Sequence, residues 1–405
     1  MTKSRVLIVI GTRPEAIKLA PVADALSRCG LEPRVCLSGQ HRELLAQALE
    51  AFDLPIHHNL DLMRDDQDLP ALTGRVVAET ARVIDAERPD WVIVQGDTVT
   101  AMAAALAGFQ CGVPVAHVEA GLRSGDLRHP WPEEMNRRLI GQLAALHFAP
   151  TEGARRHLLA EGVAPAAIHV TGNTVIDALA MARARLKQRP ELGAGAPPDL
   201  GADGRAVVLV TVHRRENLGE ILPRIGAALE RLADRGDCEL VFPAHPNPQV
   251  SALARRLADR TAGGLRVVPP LSYLPFVALL DRADLILTDS GGIQEEASAL
   301  GKPVLLLRER TERPEAVEAG NVRLVGADPD RIAAAAARLL DDPNERARAS
   351  RRHDSFGDGR AAERIAGLLK IACAAGTPKA ACAAGTPKAA CAAGISPLAM
   401  AEETA

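Results

Sequence analysis

Short runs of apolar, often β-branched residues recur along the chain, and each is followed by a loop and a stretch with helical spacing. In the first half the runs are Val6–Ile10, Pro33–Leu37, Trp91–Gln95, Val113–Val118 and Leu146–Ala149. In the second half they are Val207–Val212, Glu239–Pro243, Leu265–Val268, Leu285–Thr288, Val304–Leu307 and Val322–Val325. Continuous apolar strands that alternate with helices are typical of a parallel sheet covered on both faces. The pattern therefore predicts an α/β chain with two doubly wound parallel sheets in tandem.

The two series are separated by Lys187–Arg205, which is rich in Pro and Gly. We expect a first domain over residues 1–171, rejoined by a helix at 355–371, and a second domain over 172–354. Residues 372–405 instead repeat a unit that contains Cys373, Cys382 and Cys391 at even spacing. Because each unit carries Gly and Pro and lacks an apolar period, the repeat predicts a disordered tail rather than a metal-binding loop.

The composition and charge of the chain argue against several classes of binding partner. The chain has 405 residues, a formal net charge of −3 and 2 % aromatic residues, so it lacks both the global attraction to nucleic acid and the stacking residues that single strands require. No apolar run is long enough to span a membrane, and Val6–Ile10 is too short for a signal peptide. Cys29, Cys36, Cys111 and Cys238 lack metal-ligand spacing. We expect a cytoplasmic protein with neither a metal nor a nucleic-acid partner.

Three acidic residues of the first half follow strand ends, where ligands sit in this fold class. Asp97 follows the third run. It could be a catalytic carboxylate or the N-cap of the next helix. Glu119 closes an apolar run, where a structural carboxylate is uncommon. Glu133 opens a helix whose core face we expect to be Met135, Leu139 and Leu143. Glu133 is also four residues before Arg137, so an ordinary surface ion pair is the alternative to a catalytic role.

The remaining candidates are cations and a glycine turn. Arg13 and Lys18 accompany the glycine turn after the first run, which can hold an anion at a helix N-terminus. His213 follows a strand, and His245 lies at the next strand end, where its chemistry stays open. The strongest local signal is the turn of Ser290, Gly291 and Gly292, which presents backbone N–H groups to a phosphate. Glu296 lies one turn into the following helix, where it could accept two ribose hydroxyls, and Arg313 follows a later strand.

Taken together these motifs resemble one known family. Their order is Gly-Thr-Arg-Pro-Glu, Gly-Asp-Thr, His-Val-Glu-Ala-Gly-Leu-Arg, Trp-Pro-Glu-Glu-x-Asn-Arg, His-Arg-Arg-Glu, Thr-Asp-Ser-Gly-Gly-Ile-Gln-Glu-Glu and Thr-Glu-Arg-Pro-Glu. From Val6 to about Leu369 the chain is similar to the non-hydrolysing UDP-N-acetylglucosamine 2-epimerases. The resemblance implies a two-domain GT-B fold facing across a cleft, a homodimer, and inversion at C2 of the sugar without NAD or another cofactor.

The resemblance also implies roles for residues. Catalysis would involve Asp97, Glu119, Glu133, Arg137 and His213. The UDP contacts would be Arg13, Lys18, Phe276, Ser290, Gly291, Gly292, Glu296 and Arg313. Some relatives bind a second UDP-sugar as an activator, and here Gln40, His41 and His245 match that site, whereas Asp66 stands where the family has Arg.

The implied reaction interconverts UDP-N-acetylglucosamine and UDP-N-acetylmannosamine through elimination of UDP and its re-addition, which would supply precursors for cell-surface polysaccharide. Three alternatives stay open. An epimerase for a UDP-2,3-diacetamido-uronic acid would share nearly every motif. A GT-B glycosyltransferase would use the same glycine turn but has no need of the three acids. A non-catalytic sensor of nucleotide sugars would need only the glycine turn.

Overall fold

Two parallel sheets organise the chain, as the apolar runs predict. The computed structural model describes residues 3–39, 51–64, 68–261 and 263–375. The first sheet has the order β3-β2-β1-β4-β5-β6-β7, formed by β1 (Arg5–Ile10), β2 (Glu32–Leu37), β3 (His58–Asn59), β4 (Trp91–Gln95), β5 (Val115–Val118), β6 (Leu146–Ala149) and β7 (Ile168–Val170). The second has the order β10-β9-β8-β11-β12-β13, formed by β8 (Ala206–Thr211), β9 (Cys238–Pro243), β10 (Leu265–Val268), β11 (Leu285–Thr288), β12 (Val304–Leu306) and β13 (Val322–Leu324).

Every ladder between these strands is parallel, and helices connect them. The helices that lie wholly within the described ranges of the first half are α1 (Arg13–Arg28), α2 (Leu69–Glu87), α3 (Val99–Gln110), α4 (Glu133–Leu143), α5 (Glu152–Ala160) and α6 (Thr174–Gln188). Those of the second half are α7 (Ile221–Ala233), α8 (Pro248–Arg260), α9 (Tyr273–Arg282), α10 (Gly291–Leu300), α11 (Pro314–Glu318), α12 (Pro329–Asp341), α13 (Pro343–Ala349) and α14 (Ala361–Ala374). Two doubly wound sheets of this kind form the predicted GT-B architecture.

The strand order reverses next to β1 in the first sheet and next to β8 in the second. In open α/β sheets the loops at the carboxyl ends of strands form a crevice at such a reversal. The loops after β1 and β4 are joined by Glu15, whose Oε2 accepts the backbone N–H groups of Gly11 and Thr12 at 2.8 and 2.6 Å. Its other oxygen accepts the hydroxyl of Thr98 at 2.6 Å. This buried carboxylate therefore fixes the start of α1 against the start of α3.

The last helix packs on the first sheet, not on the second. Ala362, Ile365, Ala366 and Leu369 of α14 belong to the same buried cluster as the apolar residues of β1 and α1. The helix covers Ala361–Ala374, whereas the predicted range was 355–371. It begins later because Gly357 and Gly359 have φ of +118° and +81°, which no α-helix accommodates. It also includes residues 372–374, which we assigned to the repeat tail. The division of the chain at residues 171 and 354 stays a prediction.

The carboxylate of Asp177, on α6, binds the first backbone N–H groups of α14. Its oxygens accept the backbone N–H groups of Ala361 and Ala362 at 3.2 and 2.9 Å. Burial raises the pKa of Asp177 to about 6.

Among the described helices none combines the length and apolar composition needed to cross a bilayer.

Candidate active site

Asp97 is held by an arginine rather than used as a helix cap. The N-cap of α3 is Thr98, whose hydroxyl accepts the N–H of Ala101 at 3.0 Å, so the capping alternative for Asp97 is wrong. The Asp97 carboxylate accepts Nε and Nη2 of Arg137 at 2.8 and 2.6 Å. Its backbone carbonyl accepts the amide of Asn136 at 2.8 Å. Asp97 is therefore fixed from two successive positions of α4.

The predicted core face of α4 is wrong for Met135 and Leu139, whereas Leu143 is half-buried and packs against the core of the first sheet. Met135 and Leu139 are each 43 % exposed, whereas Glu134, Asn136 and Arg137 are buried. Polar residues take the buried face because Arg137 reaches two carboxylates there, those of Asp97 and Glu134. Burial alone would lower the pKa of Arg137, but the nearby carboxylates raise it overall.

Glu133 does not form the ion pair that its spacing from Arg137 suggests. Within the described part of the chain, Arg137 pairs with Asp97 and with Glu134 at 3.1 Å. Oε2 of Glu133 is buried and finds no hydrogen-bond donor among the described residues. A buried carboxylate oxygen without a donor is costly and calls for an explanation, and Oε1 of the neighbouring Glu134 is in the same state.

Glu119 follows β5 directly and lies in a largely buried ion pair with Lys18 of α1. Its other contact is the amide of Asn173, at 2.9 Å from Oε2. The backbone of Glu119 has φ of +64°, a region that a residue with a side chain seldom occupies and that favours function when found at a strand end. Burial would raise the pKa of Glu119, but Lys18 and Arg313 outweigh it and lower that pKa. The carboxylate is therefore ionised at neutral pH.

The second sheet contributes a buried ion pair next to this one. Arg313, at the N-cap of α11, contacts the carboxylate of Glu295 on α10. Oε2 of Glu295 accepts the amide of Asn173 at 2.7 Å. Burial raises the pKa of Glu295, and the nearby Glu119 adds to that rise. A single asparagine amide thus lies between a carboxylate of the first sheet and one of the second.

The glycine turn begins α10, with Ser290 as its N-cap. A Cβ atom at Gly291 would lie 2.6 Å from Nη1 of Arg313, whereas one at Gly292 would have no atom within 4 Å. The absence of a side chain at Gly291 therefore lets the guanidinium of Arg313 approach the backbone. Gly292 faces open space at the helix N-terminus, where an anion would be stabilised.

His213 is oriented by Asp289, a fully buried residue that we did not single out from the sequence. The Asp289 carboxylate accepts the backbone N–H groups of His213 and Arg214 and the amide of Asn217. Nδ1 of His213 lies 3.2 Å from Oδ1 of Asp289. The imidazole stacks on that of His245 with ring centroids 5.8 Å apart. Burial lowers the pKa of His213, which favours a neutral imidazole.

Glu296 lies beside Glu295 on α10 and is also buried. Its Oε1 accepts the hydroxyl of Tyr273 at 2.8 Å, and burial raises its pKa to about 7. Phe276 lies on the same helix as Tyr273 and packs against the core of the second sheet. Arg13 contacts the carbonyl of Leu271 at 3.4 Å, just before that helix.

The structure thus brings most of the predicted residues to the carboxyl ends of the two sheets. Gln40 and His41, and the substituted position Asp66, lie outside the described residues. The sequence did not point us to Asn173, Glu134, Glu295 or Asp289. Asn173 could have been noticed as a polar residue just after a short strand, whereas the choice of Glu134 over Glu133 is invisible without the fold. In the described ranges no group of three His, Cys, Asp or Glu side chains could hold a metal ion.

Known proteins that are similar to this chain belong to the family that its motifs resemble. The family model described as UDP-N-acetylglucosamine 2-epimerase matches residues 24–370. A protein of Ralstonia solanacearum named probable UDP-N-acetylglucosamine 2-epimerase is 49 % identical over 371 residues, which is 89 % of this chain and 97 % of the relative. The UDP-N-acetylglucosamine 2-epimerase of Escherichia coli K12 is 48 % identical over 375 residues, 90 % of this chain and 98 % of that protein.

A solved structure agrees as well. The crystal structure of UDP-GlcNAc 2-epimerase from Neisseria meningitidis bound to UDP-GlcNAc superposes with a TM-score of 0.86 at 42 % identity, covering 91 % of this chain and 100 % of that one. Sequence, fold and the ordered motifs agree over nearly the whole described chain. The chain therefore belongs to the UDP-N-acetylglucosamine 2-epimerase family and is an isomerase.

Proposed function

We propose that this enzyme interconverts UDP-N-acetylglucosamine and UDP-N-acetylmannosamine by inverting C2 of the sugar. The proposal is supported by the name of the Neisseria structure, which was solved with UDP-GlcNAc bound, and by the extent of the similarity to it. The observation that carries it is the pair of first-sheet glutamates. Glu119 is ionised in its ion pair with Lys18, and Glu133 keeps a buried oxygen without a donor. Inversion at a carbon needs a base on one face and an acid on the other.

The reaction proceeds by elimination and re-addition. A carboxylate removes the C2 proton while the C1–O bond to UDP breaks, and the product is 2-acetamidoglucal. UDP then re-adds at C1 as C2 takes a proton on the opposite face. The base then releases its proton to water and the acid regains one from water, so atoms and charge balance over the cycle and no cofactor is needed. The proton-transfer groups are drawn from Asp97, Glu119 and Glu133, with Arg137 fixing Asp97 and His213 at the edge of the cleft.

The departed UDP must be held between the two steps. Its proposed contacts are the cations Arg13, Lys18 and Arg313, the N-terminus of α10 at Ser290, Gly291 and Gly292, the ring of Phe276, and Glu296 on the ribose hydroxyls. Fixed cations and backbone N–H groups stabilise the charge that develops on a leaving diphosphate. The open space at Gly292 supports close approach of the phosphates to the backbone.

Three further proposals follow from the resemblance. The enzyme acts as a homodimer, it supplies N-acetylmannosamine precursors for surface polysaccharide, and His245 takes part in binding an activating UDP-sugar. The stacking of His245 on His213 supports the last, because it would couple an activator contact to a residue of the cleft.

Exchange of the C2 proton tests the function. The enzyme is incubated in D2O with UDP-N-acetylglucosamine, and in parallel with a UDP-2,3-diacetamido-uronic acid, and C2 is followed by NMR. Deuterium at C2 and a second epimer should appear with the first sugar. Exchange with the uronic acid only would assign the enzyme to that substrate. Transfer of the sugar without C2 exchange would instead indicate a glycosyltransferase.

A further inference from the structure

Both polar atoms of the Asn173 side chain form hydrogen bonds, and so does its backbone N–H. The side chain is 1 % exposed. Its Nδ2 donates to Oε2 of Glu119 at 2.9 Å and to Oε2 of Glu295 at 2.7 Å. Its Oδ1 accepts the N–H of Val175 at 3.1 Å and so caps α6, and its backbone N–H donates to the carbonyl of Phe356 at 2.6 Å.

The orientation of this amide is fixed by chemistry. The N–H of Val175 can only pair with an acceptor, so the oxygen of the amide must face the helix. The nitrogen must then face the two carboxylates, and each of its two hydrogens satisfies one of them. Any side chain that lacks this pair of donors would leave two buried carboxylates facing each other.

The charges around the amide explain why a neutral donor is needed there. Lys18 contacts the same Oε2 of Glu119 that accepts the amide of Asn173, and Arg313 contacts Glu295. Each carboxylate thus has one cation, and the shared position between them carries no charge of its own. An additional negative charge at that position would raise the pKa of both carboxylates, because like charges at close range disfavour ionisation.

The backbone holds the amide at the place where the chain passes twice between the sheets. The Cα of Gly357 would lie 2.9 Å from a Cβ at Gly172, which has φ of +89°. The two passages therefore contact each other through glycines, immediately before Asn173. The amide can reach a first-sheet and a second-sheet carboxylate because it projects from this crossing.

We propose that Asn173 is a positioning residue for Glu119, holding its carboxylate in register with the second sheet during proton transfer. The inference rests on the proposed function of Glu119. Asn173 itself does not exchange a proton with the substrate. Its effect is on the geometry and the pKa of Glu119.

Asn173→Asp is the sharpest variant, because it is isosteric, keeps an oxygen to cap α6, removes both donors and adds a charge. We expect kcat for C2 exchange to fall roughly 10²-fold, the effect of a misplacement of about 1 Å. The acidic limb of the pH profile should move up by about one unit, since a carboxylate within ~4–6 Å raises the pKa of its neighbours. Asn173→Ser, which removes the amide donors without adding charge, should slow exchange with a smaller shift of that limb. UDP affinity should change little in either variant.

Asn321 provides the matched control. It is 2 % exposed, and its amide donates to the carbonyls of Ala349 and Arg351 at 2.9 and 2.7 Å, away from the cleft. Asn321→Asp should lower the melting temperature but leave the pH profile unmoved. If the Asn173→Asp enzyme has a normal kcat, and the acidic limb of its pH profile stays at the position found for the unmodified enzyme, the inference is overturned.

Glu119→Gln separates this inference from the function on which it rests. If Glu119→Gln exchanges C2 at the normal rate, both the role of Glu119 and that of Asn173 are wrong. If Glu119→Gln is inactive and Asn173→Asp is normal, only the positioning role is wrong. When both proposals hold, adding Asn173→Asp to Glu119→Gln should lower the residual rate no further, because the carboxylate that it positions is gone.

Discussion

Arg137 forms its ion pair with Asp97, 40 residues earlier in the chain, and not with Glu133, one helical turn before it. The pair joins α4 to the loop after β4, so the arginine fixes this helix at the carboxyl end of a strand of the first sheet. It also distinguishes two neighbouring glutamates, because it pairs with Glu134 and not with Glu133 in the described structure. Oε2 of the fully buried Glu134 accepts Nη1 of Arg137 at 3.1 Å and the N–H of Ser124 at 3.0 Å. Oε1 of Glu134 and Oε2 of Glu133 are both buried without a hydrogen-bond partner in the described structure, and Glu133 has no ion pair with Arg137 there.

These two glutamates should therefore respond in opposite ways to the same change. Glu134→Gln should lower the free energy of unfolding by about 1–3 kcal/mol, because Arg137 loses one of its two buried carboxylates but keeps Asp97. Glu133→Gln should cost less than about 1 kcal/mol of stability and lower kcat by roughly 10²–10⁴-fold, the usual contribution of an acid–base group. Urea unfolding and C2 exchange on both variants check this. Equal loss of stability in the two, with normal exchange in Glu133→Gln, would return Glu133 to a structural role.

Gly291 and Gly292 should also differ, although they are adjacent. Gly291→Ala should displace the guanidinium of Arg313 from Glu295, since the new Cβ would lie 2.6 Å from Nη1, and we expect both stability and UDP affinity to fall. Gly292→Val should leave the fold intact, because no atom lies within 4 Å of a Cβ there, yet should block the phosphates from the backbone. Calorimetry with UDP and thermal unfolding separate the two effects. Unaltered UDP affinity in Gly292→Val would place the diphosphate elsewhere.

The buried histidines of the first sheet should make stability depend on pH. His117 and His147 are paired in register on β5 and β6, each is 1 % exposed, and Nδ1 of each lacks a partner among the described residues. Burial lowers the pKa of His117 to about 3 and that of His147 to about 4. The unfolded chain binds protons below pH ~6.5 and the folded one does not, so stability is present above that pH and is lost as the pH falls.

Each histidine should contribute a slope of up to about 1.4 kcal/mol per pH unit between pH ~6.5 and its folded pKa. Replacing both by Gln should remove that part of the slope in urea titrations between pH 6.5 and about 4.5, above the range where most carboxylates titrate. His129, which is 82 % exposed, provides the control, and His129→Gln should leave the slope unchanged. An unchanged slope in the double variant would show that both histidines titrate normally.

Two truncations should locate the end of the folded chain. Removal of residues 376–405 should leave C2 exchange and the melting temperature unchanged, because the repeat lacks an apolar period. Removal of everything after Leu369 should cost about 1–2 kcal/mol, because Ala372 and Cys373 pack against the core around α1. If the first truncation lowered the melting temperature, the repeat would have to pack on the body of the enzyme.

The fold could be predicted from the sequence because buried parallel strands are continuous apolar runs, and Trp91–Gln95 and Leu146–Ala149 were predicted at their observed bounds. The strands β3 and β7 have two and three residues and were missed, since runs that short have no recognisable pattern. Residues such as Glu119 could be placed near the cleft because they follow strands. Their partners could not, because a shift of one position along a helix turns a side chain by about 100°. That rotation decides between Glu133 and Glu134.

The docking of α14 on the first sheet has a consequence for how the chain folds during synthesis. The core around β1 and α1 draws four buried residues from α14, near the end of the described chain. Domains of a nascent chain generally fold in the order in which they leave the ribosome. Here the first sheet keeps an uncovered apolar surface until the whole second sheet has been made. The hydrogen bonds from the backbone N–H groups of Ala361 and Ala362 to Asp177 on α6 can form only after that stage. The first part of the enzyme to emerge is thus the last to be completed.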